Sequence, residues 1–375
     1  MNNEIKSLGK SLSSIDWNFP NNNGKTSVHS LHPYPAKFIP EIPSTLIKCL
    51  DIQKGMTVFD PFCGSGTTLV EANLAGYHSV GVDLNPIACM ISKSKMTKLP
   101  IEFINSTKDC IARARDNSKE KIPEIPHLSH WFKKETQQEI TALLSEINKG
   151  DNSAVQLFQK TALSSILVRI SNQDSDTRYA AVKKKVTKKD TFSSFFSACE
   201  KIEKIKSMQE ISSSPYKIIN KDILKINPKE VGFRVGAIIT SPPYPNAYEY
   251  WLYHKYRMWW LGFDPLSVKE QEIGARPHYH KKNPQDEQYF ENQMDKVFSL
   301  FDEVLVKNGK VCFVIGRSII RGRTVDNAAI IEKVGLNHGL KQVARIPRTI
   351  LSSRKSFNLS HANIKKEEIV IMKRV

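Results

Sequence analysis

The order of elements along the chain predicts an α/β protein, a doubly wound, mostly parallel sheet interrupted by a mainly helical insertion. Three observations carry this. Residues 57–84 run strand, glycine turn, helix, strand, the order of a βαβ unit, which implies parallel pairing. Residues 86–214 then show mostly helical periodicity, too long a break in the alternation to be a loop. Buried-type strands resume only at Tyr216. At 375 residues the chain can bury a large core without covalent staples.

In order, residues 1–28 are polar and rich in Asn and Ser, with Pro20 followed by Asn21, Asn22, Asn23 and Gly24, and read as a flexible arm. Residues 29–43 carry four prolines among aromatic and apolar side chains. Ser44 then offers an N-cap to a helix with Leu46, Ile47 and Leu50. Residues 57–59 form a strand, 68–75 the helix behind the glycine turn, and 78–84 the next strand. Within the insertion, residues 135–147 and 154–170 repeat apolar side chains at helical spacing (Ile140, Leu143, Leu144, Ile147; Phe158, Ala162, Ile166). Strands are expected at 216–219, 235–239 and 310–315, with closing strands at 341–346 and 369–372. The expected domains are a catalytic body of 29–85 plus 215–375 and an insertion of 86–214.

A formal net charge of +17 attracts polyanions and favours a nucleic-acid partner. The six cysteines (Cys49, Cys63, Cys89, Cys110, Cys199, Cys312) are scattered without a Cys-x-x-Cys pair, so neither a disulfide framework nor a metal site is indicated. No stretch is apolar for the length of a membrane span, and the polar N-terminus lacks a signal sequence's apolar core. A cytoplasmic protein, monomeric or weakly dimeric, is the expectation.

The chemistry concentrates in two segments. Asp60-Pro61-Phe62-Cys63-Gly64-Ser65-Gly66-Thr67-Thr68 turns a strand into a helix, where glycines allow close backbone approach and a helix start offers free N–H groups. Asp83 ends the following strand, the place from which a carboxylate accepts hydrogen bonds from ribose hydroxyls. A dinucleotide site wants a third glycine, where this chain has Leu69, and a phosphate-binding P-loop wants a lysine after the second glycine, which is absent. Asp60 repels phosphate and welcomes a cation. S-adenosylmethionine, an adenosine with an ammonium, a sulfonium and no phosphate, suits Asp60 and Asp83.

The second segment, Ser241-Pro242-Pro243-Tyr244, follows a buried strand. Two prolines remove two N–H donors and stiffen the turn, which presents carbonyl acceptors. An exocyclic amino group is a poor nucleophile, because its lone pair is delocalised into the ring. The Ser241 side chain and Pro242 carbonyl can hold its hydrogens while Tyr244 offers a face for a base turned out of the duplex.

Together these motifs resemble the S-adenosylmethionine-dependent DNA amino-methyltransferases: the glycine turn is similar to their first motif, with its Asp-Pro lead and Phe-x-Gly-x-Gly core, and Ser241-Pro242-Pro243-Tyr244 matches their second fully. The resemblance covers roughly half the chain in three pieces and leaves the insertion unmatched. It implies a sheet of Rossmann-like methyltransferase type, S-adenosylmethionine as cofactor and double-stranded DNA as partner, and leaves a cognate restriction endonuclease open. By this likeness Phe38 and Lys37, in His32-Pro33-Tyr34-Pro35-Ala36-Lys37-Phe38, join Asp60, Phe62, Gly64, Gly66, Thr67 and Asp83 around the cofactor. Asp222 matches the acid near the adenine amino group. Serine at the head of the second motif resembles the cytosine N4 enzymes; adenine N6 and RNA guanine N2 transfer stay as alternatives. Methylation of cytosine C5 needs a nucleophilic thiolate, usually after proline, and the chain has no Pro-Cys pair. Nucleic-acid contacts are expected from Lys183, Lys184, Lys185, Lys188, Lys189, Arg169 and Arg178 in the insertion, from the aromatic stretch 248–260, and from Arg345, Arg348, Arg354 and Lys355.

Overall fold

The computed structural model describes residues 2–20, 27–117, 120–176, 178–182, 191–209, 212–246, 248–350 and 366–375. Seven strands build the central sheet: β1 (Thr57–Asp60), β2 (His78–Asp83), β3 (Tyr216–Asn220), β4 (Val235–Thr240), β5 (Leu305–Gly316), β6 (Leu340–Thr349) and β7 (Lys366–Arg374). They lie in the order β3, β2, β1, β4, β5, β7, β6. All pairs from β3 to β5 are parallel, and β7 runs antiparallel to both of its neighbours. The chain leaves β1 towards β2 and β3, then returns to β4 on the other side of β1. That reversal creates a crevice at the carboxyl ends of β1 and β4, where ligands bind in open α/β sheets.

Strands buried on both faces need apolar side chains in both directions. On β1 and β4, Val58, Ala237 and Ile239 point to one apolar layer, and Phe59 and Ile238 to the other. The first layer is closed by α1 (Asn2–Ser13) and α2 (Glu41–Cys49) through Leu12, Leu46 and Leu50. The glycine turn leads into α3 (Thr67–Leu74), and β2 into α4 (Pro86–Met96).

Two expectations change. The described residues 2–20 of the expected arm are packed, not loose: α1 lies against β6, and Leu12 and Trp17 are 0% and 2% exposed. Ile5, Leu8 and Leu12 make a helical stripe that covers the sheet, a signal hidden by the polar composition around it; Asn21, Asn22, Asn23 and Gly24 lie outside the described residues. Ser44 is not an N-cap either. The helix starts at Glu41 behind Pro40, with Pro43 in its first turn, where a missing N–H costs nothing.

The first helix of the expected insertion packs both on the sheet and on α7 (Ser153–Ile166). Asn85 caps α4 by accepting from Ile87 N at 2.9 Å, and that helix is buried along almost its whole length against β2 and β3. A helical core of α5 (Phe103–Asp116), α6 (Lys134–Lys149), α7 and α8 (Thr191–Ser207) packs around Phe103, Phe158 and Phe195 and is continuous with Cys63 of the glycine turn, Leu69 of α3 and Met96 of α4. The aromatic stretch forms α9 (Tyr250–Trp260), whose Tyr256 and Trp260 join this core. It is followed by α10 (Pro265–Gln271). The second sheet face is closed by α11 (Glu287–Val304) and α12 (Asn327–Asn337) through Phe298, Phe301 and Ile331.

Candidate functional site

Asp60 ends β1 and Thr240 ends the adjacent parallel strand β4, so the two motifs leave the sheet side by side. They are joined directly, since Thr240 Oγ1 donates to Asp60 Oδ1 at 2.6 Å in the buried interior. Asp60 Oδ1 also accepts from Phe62 N at 3.1 Å, folding the start of the glycine turn back on itself. A cleft of about 920 Å³, counting its open mouth, runs across both turns.

The glycine turn is shaped by its second acid. Asp83 Oδ2 accepts from Gly64 N at 2.8 Å, and its Oδ1 accepts from Asn85 N at 2.8 Å. One carboxylate thus ties the turn after β1 to the turn after β2 and keeps lone pairs towards the cleft. Gly64 and Gly66 both have positive φ, 48° and 77°, a region that side-chain-bearing residues rarely enter. A Cβ on Gly66 would stand 2.6 Å from Ser92 Oγ, so this glycine admits α4 rather than ligand.

Four carboxylates border the cleft, and of these Asp222 is paired with Lys225 Nζ at 3.5 Å, whereas Asp60, Asp83 and Glu272 have no ion-pair partner among the described residues. Burial pushes Asp60 up to about 6 and Asp83 up to about 6, against the hydrogen bonds that favour their charged forms. Glu272 is pushed up to about 8, by burial and then by the charge of Asp83, although its oxygens accept from Tyr250 N and Trp251 N at 2.8 Å each. Such a cleft suits a cation.

Nine of the sequence-predicted residues line this single cleft: Phe38, Asp60, Phe62, Gly64, Thr67, Asp83, Asp222, Ser241 and Pro243. Lys37 also lines it, but its Nζ donates to the carbonyls of His29 and His32 at 2.9 and 2.7 Å, and burial lowers it to about 8. Asp222 Oδ1 accepts from Leu224 N at 3.0 Å, which holds it at the cleft edge beyond β3.

Gly66, Pro242 and Tyr244 do not line it. For Tyr244 this is a correction. Its ring is 8% exposed and packs into the apolar layer beside β5, and its hydroxyl donates to Glu367 Oε1 at 2.9 Å. Glu367 is paired in turn with the buried Arg348. An apolar ring with a polar tip gains most where both parts are satisfied, so this tyrosine anchors the turn instead of presenting a face.

The expected phosphate contacts shift for a related reason. Arg348 is used by Glu367 and by the carbonyl of Trp17, and Arg345 by Asp326, Glu332 and Glu368. Arg169 donates to Ser194 O at 3.2 Å. Lys183, Lys184, Lys185, Lys188, Lys189, Arg354 and Lys355 lie outside the described residues, as does the side chain of Arg178.

Sequence reasoning named the segments of Tyr34 and Tyr250 without singling out either ring, and missed Glu272 on the cleft wall. Tyr34 sits inside the proline-rich segment already singled out, and Tyr250 inside the aromatic stretch. Glu272 has no signal, being a single acid between a short helix and a loop. Among the described residues no cluster of His, Cys, Asp and Glu could hold a metal ion, and no helix is long and apolar enough to cross a membrane.

The DNA methylase family model matches residues 3–94. The type II methyltransferase M.MvaI of Kocuria varians is 27% identical over 61% of this chain and 56% of its own length. The type II methyltransferase M.BsoBI of Geobacillus stearothermophilus is 26% identical over 66% of this chain and 55% of its own. The chain therefore spans about half the length of these relatives. Among solved structures, the rRNA methyltransferase aviRa of Streptomyces viridochromogenes aligns over 94% of this chain and 93% of its own at 11% identity, with a TM-score of 0.35. By the family match, these relatives and two motifs meeting at one cleft, the chain is similar to the S-adenosylmethionine-dependent DNA amino-methyltransferases.

Proposed function

We propose that the protein methylates an exocyclic amino nitrogen of a base in double-stranded DNA, cytosine N4 ahead of adenine N6, with S-adenosylmethionine as methyl donor. The observation that carries this reading is the 2.6 Å hydrogen bond from Thr240 to Asp60, which locks the cofactor-type turn and the Ser-Pro-Pro-Tyr turn onto one cleft. The preference for N4 rests on serine at position 241 alone.

The cleft fits the donor. Asp60 and Asp83, which ionise near pH 6, have no basic partner among the described residues, and Glu272 would ionise beside a cation; Asp83 keeps acceptor capacity for ribose hydroxyls, and Asp222 stands at the far edge for an adenine amino group. When bound, S-adenosylmethionine supplies a methyl group on a sulfonium already activated for attack. The chain supplies position. Ser241 Oγ, on the cleft wall, would accept an amino hydrogen and help turn the lone pair towards the methyl carbon, while Pro242 lies off the wall and stiffens the turn. With that donor bound, the amino nitrogen would take the methyl group and release one proton to solvent, with no thiolate needed from the chain. Pro242 and Pro243 keep the acceptor from moving, and buried Tyr244 fixes the turn to β5.

Labelled S-adenosylmethionine incubated with duplex DNA and, separately, with RNA tests the substrate class: label is expected in DNA. Label in RNA alone overturns the reading. Mass spectrometry of the digested product then distinguishes N4-methylcytosine from N6-methyladenine.

A pH dependence follows from the buried acids. Their raised values mean that the unliganded fold loses stability as pH rises from about 4 through about 6, and through about 8 for Glu272. A cation favours the ionised forms, so S-adenosylmethionine binding is expected to release protons near pH 6. Its affinity should fall below pH 6 by up to about tenfold per pH unit for each carboxylate that must ionise. Calorimetry across pH 5 to 8, repeated in buffers of different ionisation enthalpy, measures both; a flat profile contradicts the assignment.

A further inference from the structure

Duplex DNA reaches the cleft as a polyanion, so the groups that seat its backbone must be positive, near the cleft mouth and not already neutralised by an acid. Most basic side chains around the cleft fail the last condition. Lys221 is paired with Glu230, Lys225 with Asp222 and Arg257 with Asp176, while Lys37 is held by two carbonyls. Lys255 on α9 and Lys269 on α10 meet it. Neither ammonium has a carboxylate or a hydrogen-bond acceptor among the described residues, and both rest on aromatic rings instead.

Lys255 Nζ stands 4.7 Å from the ring centroid of Trp259 and 5.9 Å from that of Trp251, and Lys269 Nζ stands 5.1 Å from the same Trp251 ring. One indole thus carries two cations from two helices. Burial and then the charge of Lys269 lower Lys255 from its ordinary value, so two like charges are held near each other without the anion that would relieve them. Cation–π attraction keeps each ammonium in place but leaves its N–H groups open to an anion. Tyr179, on the short strand Arg178–Ala181, comes within 5.8 Å of Lys255 Nζ, so α9, α10 and the helical insertion build the site together.

The pair continues as a row. His278, in the short turn Arg276–Tyr279, donates from Nε2 to the carbonyl of Lys269 at 3.1 Å and feels the charges of both Lys281 and Lys269. Lys281 is exposed. The row borders the cleft mouth: Val268 and Gln271, on either side of Lys269, line the cleft, as does Tyr250, which precedes Lys255 by about 7.5 Å along the helix axis.

We propose that Lys255, Lys269 and Lys281 form a phosphate-binding row that seats the DNA backbone beside the cleft, with Trp251 and Trp259 as the platform that holds the first two ammonium groups ready for the strand. This deepens the methyl-transfer reading above and rests on it. The row positions the duplex without reading its sequence. It takes over the role that the sequence suggested for Arg345 and Arg348, which internal acids consume.

The test measures binding of the full chain to a fluorescent duplex of mixed sequence, by anisotropy, as salt is varied. Lys255→Gln combined with Lys269→Gln should weaken binding and flatten the slope of log K against log salt by about 2, since each lost phosphate contact removes about 0.9. Adding Lys281→Gln should flatten it by about 0.9 more. Affinity for S-adenosylmethionine by calorimetry should not change. Lys255→Arg with Lys269→Arg should restore the slope. Lys6→Gln with Lys10→Gln removes the same charge from exposed positions of α1 and should leave the slope as in the wild type. Should the glutamine variant melt early by circular dichroism, Lys255→Met with Lys269→Met, which keeps the apolar stems on the rings, gives the same comparison. A wild-type slope in the folded double variant, an equal loss in the α1 variant, or a loss on RNA with none on DNA overturns the row. A wild type that binds DNA through these lysines yet places no label from S-adenosylmethionine in it removes the methyl-transfer reading and leaves the row standing.

Discussion

An Asp83→Ala protein is expected to bind S-adenosylmethionine far more weakly than the wild type, by at least roughly 10- to 150-fold, the range for one hydrogen bond to a charged group. Asp83 is not only a contact for a ribose. Its two oxygens accept from Gly64 N and Asn85 N at 2.8 Å each, so truncation leaves two backbone donors unpartnered and releases the glycine turn from β2. The loss should therefore lie at the upper end of that range. Asp83→Asn separates the parts, because an amide can still accept from one N–H while the charge is gone. It should recover some of the affinity but not the Asp83 share of the proton release near pH 6, leaving that of Asp60. Isothermal calorimetry on both variants, with melting curves to confirm folding, makes the measurement. Unchanged affinity in the alanine variant would mean that the cofactor lies elsewhere in the cleft.

Ser241→Ala should show the complementary defect, normal cofactor affinity with turnover reduced by about a hundredfold or more, the usual cost of removing one pre-organised hydrogen-bonding group from a reacting centre. Ser241 lines the cleft directly after buried β4 and is followed by two prolines that fix its backbone frame. Its Oγ is the side-chain acceptor that this turn presents to the cleft, so its removal leaves the amino group without that partner. A single-turnover experiment isolates this step from product release. If the alanine variant transfers methyl groups at the wild-type rate, the amino group is held by other atoms. The contrast with Asp83→Ala matters, since one variant should fail in binding and the other in chemistry although both touch the same cleft.

The buried anchors below the motifs explain where sequence reading succeeded and where it stopped. The glycine turn was legible because its requirements are local: Gly64 and Gly66 adopt positive φ, and Asp83 returns one strand later to bind the turn. The Ser-Pro-Pro stretch was legible for the same reason, as prolines dictate their own backbone. The role of Tyr244 was not. Whether a tyrosine points into a cleft or into a core depends on what lies beneath it, in this case a carboxylate on β7 paired with an arginine on β6. Glu272 was silent because nothing in the neighbouring sequence reveals that it caps a helix beginning 22 residues earlier. The N-terminal helix was misread as an arm because its apolar stripe is thin and becomes meaningful only once β6 lies opposite.

By itself the sequence determined the parallel α/β rhythm, the presence of a helical interruption, the two turns and the acids that accompany the first. These follow from backbone dihedral preference and from apolar periodicity, which act over a few residues. Only the tertiary structure decided which side chains face the cleft, because that choice is made by partners remote in the chain: Thr240 reaching Asp60, Glu367 claiming Tyr244, Glu272 holding Tyr250. A buried polar group must find a partner wherever the fold supplies one, and that requirement sorts the tyrosines and acids of this chain into anchors and walls.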